Sequence, residues 1–422
     1  MNLLIKSATI IDPQGSHHLK KLDILIKNGK IEKVAKSLKV NGVQEFSAPN
    51  LHVSSGWIDL HANFQDPGLE YKEDLESGMA AASEGGFTRV CLSPLTEPKR
   101  DSKAQVEYVL NRNKNSLVEL FPYGTISKEA KGKELAELYD MHQAGAIAFF
   151  DGKKPIENAN LMHRALLYTQ SFNALVMNFP HNTDLADGGV MNEGEISTQL
   201  GLKGMPELTE ELMISRDLYL VEYTAGKLHF ATVSAEKGLA LIKAAKKKGL
   251  GISCDVSAAH LLLDDTKLLE FDSRFKTLPP FRNKQSIKAL IKGIKDGSIS
   301  AISSDHWPED IESKKKEFDH AAFGLINLQT AFAAARTATK GQVDLSQLIN
   351  CFTQGPAEVL GLPLNSVEEG QVANLSLFDP DAEFIFSKEM VKSKSKNSPF
   401  FGMKLKGKVY GVVNRNKKSF SS

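Results

Sequence analysis

The segment Gly56-Trp57-Ile58-Asp59-Leu60-His61-Ala62-Asn63 reads as an apolar strand that ends in a His-X-Asn pair. Side chains alternate along a strand, so positions 61 and 63 project to the same side. Two imidazoles there would begin a zinc site. One of the two is instead Asn63, whose amide is a poor zinc ligand. Two carboxylates stand just past other apolar runs: Asp151 in Phe149-Phe150-Asp151-Gly152 and Asp305 in Ser304-Asp305-His306. Imidazoles and carboxylates gathered at strand ends are what metal-assisted hydrolysis needs. The metal lowers the pKa of its water towards ~7 and polarises a carbonyl, while a carboxylate handles the proton.

The elements that must position these groups follow a simple order. The first fifty residues hold short strands, with Leu22–Ile26 leading through the turn pair Asn28-Gly29 into Lys30–Val34. The last seventy hold similar runs, at Ala373–Pro380 and Lys408–Val413. One β domain built from both termini is expected. Between them strand-like runs (89–92, 146–150, 174–177, 227–231, 299–302) alternate with helix-like ones such as 80–84 and 239–248, the latter closed by Gly249. Repeated β-then-α units predict a parallel sheet, and eight of them a TIM (β/α)8 barrel, whose chemistry sits past the C-terminal strand ends. The expected division is 1–54 and 351–422 for a composite β-sandwich, and 55–350 for the barrel.

Composition sets limits. A net charge of +1 over 422 residues gives no field for nucleic acid or an anionic membrane, and neither is an expected partner. No apolar run approaches a membrane span, and the N-terminus lacks a secretory pattern, so a cytoplasmic location is expected. Cys91, Cys254 and Cys351 are odd in number and far apart, which suits buried free thiols. The lysines at Lys246–Lys248 and Lys314–Lys316 read as solvated faces, and Lys392, Lys394 and Lys396 as a flexible surface loop.

Taken in order, several motifs resemble the bacterial dihydroorotases of the amidohydrolase superfamily. They are Gly56–His61, Asp66–Glu73, Gly85–Thr88, Gly188–Gly194, Leu200–Pro206, Lys276–Arg282 and Ser304–His306. The resemblance spans nearly the whole chain and implies the barrel with its β domain, a homodimer, and hydrolysis of a cyclic amide at a metal centre. It also implies six ligand positions. His61, Asp151 and Asp305 match three of them as residual ligands, while Asn63, Asn178 and Thr232 replace the others. The substrate contacts depart as well: Gln65 stands for an arginine, and Leu95 and Leu278 for asparagines. Trp307 adds an indole next to Asp305.

Each residue also has a plainer reading. His61 can be a hydrogen-bonded structural histidine, Asp151 a turn residue before Gly152, and Asp305 a carboxylate held by His306 or a backbone donor. Of the nearby histidines, His229 is expected on the opposite strand face from Thr232 and out of reach. His181, in a loop near the missing positions, stays open as a substitute ligand, and packing is the expected role of His260. The favoured reading is a degenerate branch of the family, a pseudoenzyme with no cofactor. The resemblance gives it aspartate transcarbamoylase, the preceding enzyme of pyrimidine biosynthesis, as partner. Two alternatives are an active dihydroorotase with one zinc on His61, Asp151 and Asp305, Asp305 then being catalytic, and a hydrolase of another cyclic amide.

Overall fold

Asn28 and Gly29 turn the chain as their types require, both with left-handed backbones (φ 49° and 77°), and pair Lys27 with Lys30. The computed structural model describes residues 1–421. The hairpin lies at one edge of a sheet that takes strands from both ends of the chain. Its order is Lys417–Phe420, Lys404–Asn414, Asn374–Ile385, His52–Ser55, Asn2–Ile11, Lys21–Lys27 and Lys30–Ala35, with Gln44–Phe46 also on Asn2–Ile11. Alternation of apolar residues buries Leu3, Ile5, Ile24, Ile26, Val53 and Leu375 in one core.

The barrel follows. Trp57–Ala62, Phe87–Leu92 and Glu119–Pro122 form one parallel run. Val176–Asn178, Leu228–Phe230, Ile252–Ser257 and Ala301–Ser303 form another. Phe149 joins the two through parallel bridges to Gly124 and Val176, and Ala62 closes the ring against His306. The segment at 146–150 therefore acts as the missing strand, and the TIM barrel with its terminal β domain is the observed fold. Of the expected helices, 239–248 appears as Glu236–Lys247, and 80–84 lies within Leu75–Glu84, which Asp74 caps.

The first barrel strand is set by its contact with the β domain. The Trp57 ring packs on Phe332, Phe352 and Phe378 at 4.7, 5.5 and 5.3 Å, and Phe378 belongs to the C-terminal strand. Gly56 lets that strand approach: a Cβ there would stand 1.7 Å from Asn374 Oδ1 and 2.1 Å from Thr88 Oγ1. The N-terminal sheet thereby fixes the line along which His61 reaches the barrel mouth.

Two expectations about lysines are corrected. The 392–396 segment is a strap packed over the barrel mouth. Ser393, Ser395 and Asn397 are buried, with Ser395 Oγ donating to Lys72 O at 2.8 Å and Asn397 Nδ2 to Gly324 O at 3.1 Å. The Lys/Ser composition suggests a surface loop, whereas its period of two turns the serines inward. Lys314 is likewise buried, its ammonium donating to the carbonyls of Ala322 (2.8 Å) and Gly324 (3.0 Å), and burial pulls its pKa down to about 7. All three cysteines are buried free thiols, and burial pushes Cys91 up to about 12.

Candidate functional site

The strand ends meet around one buried carboxylate that the sequence reading passed over. Asp255 Oδ1 accepts from His61 Nε2 at 2.9 Å, His229 Nε2 at 3.0 Å and the Thr232 backbone N–H at 2.9 Å. Its other oxygen accepts from Ser303 Oγ. Burial alone would raise this carboxyl, yet the two imidazoles hold it well below the ordinary carboxylate range. Burial pulls His229 down despite Asp255, so its ring is neutral; Nε2–H donates to Asp255, and Nδ1 accepts from Ser253 Oγ at 2.7 Å.

The placement of His229 corrects the expectation that it could not reach. That expectation assumed regular alternation from 229 to 232. The strand ends at Phe230, and Thr232 has a left-handed backbone (φ 53°), which breaks the alternation. Among the described residues, His61, His229 and Asp255 are the one set of three or more His, Cys, Asp or Glu side chains whose ligand atoms all lie within 4.8 Å of one another.

Asp151 is elsewhere. Its carboxylate accepts from the backbone N–H groups of Ile126 (2.6 Å) and Ser127 (3.1 Å) and from Ser127 Oγ, and burial raises its pKa to about 6. This role is structural, but the carboxylate ties its strand end to the 126–127 segment and does not close a turn with Gly152. Asp305 lies at the mouth with a left-handed backbone (φ 49°), as does Gln65 (φ 57°). Such backbones in non-glycine residues persist where the surrounding structure enforces them, commonly at active sites. Burial pushes the Asp305 carboxyl above the ordinary carboxylate range, a rise that Lys153, whose Nζ is 2.7 Å away, offsets only in part. Its partner is therefore neither His306 nor a backbone donor.

His306 faces away: its Nδ1 accepts from Asn327 N at 3.1 Å, which leaves the Nε2 proton towards Glu73 Oε2 at 3.3 Å. His181 and His260 are both buried and held neutral, burial pulling them down to about 4 and about 3. His260 Nε2 donates to Pro279 O at 3.0 Å and its ring packs on Phe281, as expected of a packing residue.

Two of the three positions where further ligands would stand are tied into the protein. Asn178 Nδ2 donates to Asp217 at 2.7 Å and its Oδ1 accepts from Ile156 N at 3.2 Å. Thr232 Oγ1 accepts from Lys153 Nζ at 3.3 Å. Asn63 Oδ1 is buried with no hydrogen-bond partner. Gln65 Nε2 donates to Pro308 O at 2.6 Å, and Leu95 lies against Gly152. The void lined by His61, Phe150, Lys153, Asp305 and Trp307 is about 10 Å³, and its neighbour beside Leu278 and Phe323 about 80 Å³. Ligand pockets usually span roughly 300–1,000 Å³.

A metal centre on the six family positions does not fit these side chains. The only buried donor there without a partner is a neutral amide oxygen, and a lysine ammonium meets Asp305. His61, His229 and Asp255 are the better metal candidates. Their 2.9 and 3.0 Å contacts, however, are hydrogen-bond lengths, shorter than the roughly 3.3 Å between donors around a tetrahedral zinc. As they stand, protons bridge these groups.

Sequence comparison places the chain among known proteins. A family model described as dihydro-orotase-like matches residues 52–237, and one for the amidohydrolase family matches 209–415. The dihydroorotase of Acetivibrio thermocellus is 40% identical over 418 residues, covering 98% of both chains. That of Ruminiclostridium cellulolyticum is 39% identical over 417 residues, 98% of this chain and 97% of its own. Among solved structures, L-hydantoinase (dihydropyrimidinase) from Arthrobacter aurescens superposes with a TM-score of 0.86 at 20% identity, over 99% of this chain and 95% of that one. A D-hydantoinase gives 0.83 at 23% identity, with the same coverage. At those identities the structural likeness speaks to the fold.

Proposed function

Because the chain belongs to the dihydroorotase-like family of amidohydrolases, we propose that it is a member without dihydroorotase activity, kept for its fold and its surface. The observation that carries this reading is the state of the ligand positions. Asn178 and Thr232 stand where imidazoles are expected, each hydrogen-bonded within the protein, and Asp305 is paired with an ammonium. The substrate side agrees. A carboxylate-bearing ring would meet Leu95, Leu278 and a Gln65 already bonded to Pro308, so its desolvation would be poorly offset. The backbone frame is kept while its chemistry is removed, which suits selection for shape.

The proposed partner is aspartate transcarbamoylase, with the chain as a homodimer. No helix among the described residues is long and apolar enough to cross a membrane. The alternative, a hydrolase with a reduced and relocated metal site, is favoured by one observation: three metal-capable donors meet at His61, His229 and Asp255. An assay with dihydroorotate and carbamoyl aspartate, with zinc added, separates the two. The proposed reading expects turnover at background level in both directions and co-elution with aspartate transcarbamoylase from the same cell. Zinc-dependent turnover lost in His229→Ala would support the alternative.

A further inference from the structure

This inference rests on the reading that the family's metals do not fit the barrel mouth. The geometry points to what stands in their place: Lys153 supplies, as a tethered ammonium, the positive charge that Asp305 needs, and so holds the altered site closed.

A carboxylate in this position demands a cation. The Asp305 side chain is 4% exposed, its left-handed backbone restricts where it can turn, and an unpaired buried charge is costly. Lys153 reaches it from the segment after Phe149-Phe150, through Gly152, whose left-handed backbone (φ 64°) bends the chain over the mouth. A Cβ at Gly152 would stand 2.7 Å from Leu95, so the leucine in the expected substrate position packs against the same turn. The ammonium makes three contacts: Asp305 at 2.7 Å, Thr232 Oγ1 at 3.3 Å, and the face of Phe179 at 4.9 Å from its centroid.

Two of those contacts are with positions that the family gives to metal ligands. The chemistry of the replacements agrees. A metal takes nitrogen lone pairs from neutral imidazoles, whereas an ammonium is a pure donor and takes oxygen acceptors. Thr232 offers such an oxygen where an imidazole is expected. An ordinary surface ion pair would contribute little. This one is buried, its side chains 13% and 4% exposed, so removing one partner leaves the other's charge uncompensated.

The test uses the full-length protein and three variants: Lys153→Ala, Asp305→Asn, and both together. Lys153→Ala is expected to lose about 5 °C or more in Tm. Ethylammonium chloride should restore part of that loss in this variant alone, while tetramethylammonium, too large and without N–H donors, should not. The double variant holds no buried lone charge and should lose less than the two single losses added together. If Lys153→Ala does not accumulate folded protein, a folded double variant with a Tm near that of Asp305→Asn supports the inference equally. Additive losses, with ethylammonium no better than tetramethylammonium, would overturn it. Metal analysis of the parent separates the two levels. Bound zinc in the parent removes the premise. A metal-free parent with additive variants removes only the role of Lys153.

Discussion

Thermal stability is expected to fall as pH drops from 6.5 to 4.5, before most carboxylates titrate. The cause is the set of histidines that the fold keeps neutral. Burial holds His181 at about 4 and His260 at about 3, and it also lowers His229, whereas an unfolded histidine takes its proton near 6.5. Between the folded and unfolded values the unfolded chain binds more protons, so stability rises with pH across that window and is lost on acidification. By pH 4.5, His181 and His260 together account for roughly 5 kcal/mol of lost stability, of which the protonation of Asp151, held at about 6 in the fold, returns roughly 2 kcal/mol. Below about pH 4 the loss continues, because Asp255 and Glu73 are held below the usual carboxylate range in the fold and must be protonated. Tm measured from pH 7.5 to 4.5 checks this. His260→Leu keeps the packing on Phe281, gives up the Nε2 bond to Pro279 O, and should flatten the slope because it removes one of the titrating imidazoles. A Tm that stays level down to pH 5 would contradict the account.

Asp255→Ala is expected to cost about 3–5 kcal/mol, read as a shift of the urea midpoint at constant slope. The carboxylate is the hub of the barrel interior. Removing it strands the N–H groups of His61, His229 and Thr232 and the hydroxyl of Ser303 in a dry environment. Asp255→Asn should cost less at neutral pH, since its amide oxygen can still accept, and its deficit should shrink at pH 3, where the unfolded parent takes up a proton on this carboxylate and the folded parent resists it. A cost below about 1 kcal/mol for Asp255→Ala would mean that the histidines are held by something else.

Much of this was legible in the chain. Asn28-Gly29 announced its hairpin because few residue pairs tolerate two left-handed backbones. The alternation of apolar strands and helices announced the barrel, and the replacements at Asn63, Asn178 and Thr232 announced the altered site. The partners that replace the metal chemistry were not legible, because they join distant segments. Lys153 meets Asp305 across 152 positions, and Asp255 meets His61 across 194. A signal did exist for Asp255 and Asp59. Each is a lone carboxylate inside an apolar strand, which only a buried network of donors permits. Asp59 has such donors in the backbone N–H and hydroxyl of Ser304, both at 2.6 Å. The error over His229 had a different origin. It came from applying strand alternation beyond the strand's end.

The most direct test of the central claim is the metal content of the purified full-length protein, by plasma mass spectrometry after zinc supplementation and desalting. The account predicts less than about a tenth of an equivalent per chain, because a catalytic zinc site should hold its ion through desalting. One zinc per chain, lost in His61→Ala and His229→Ala, would contradict it and make the donors around Asp255 a working metal centre.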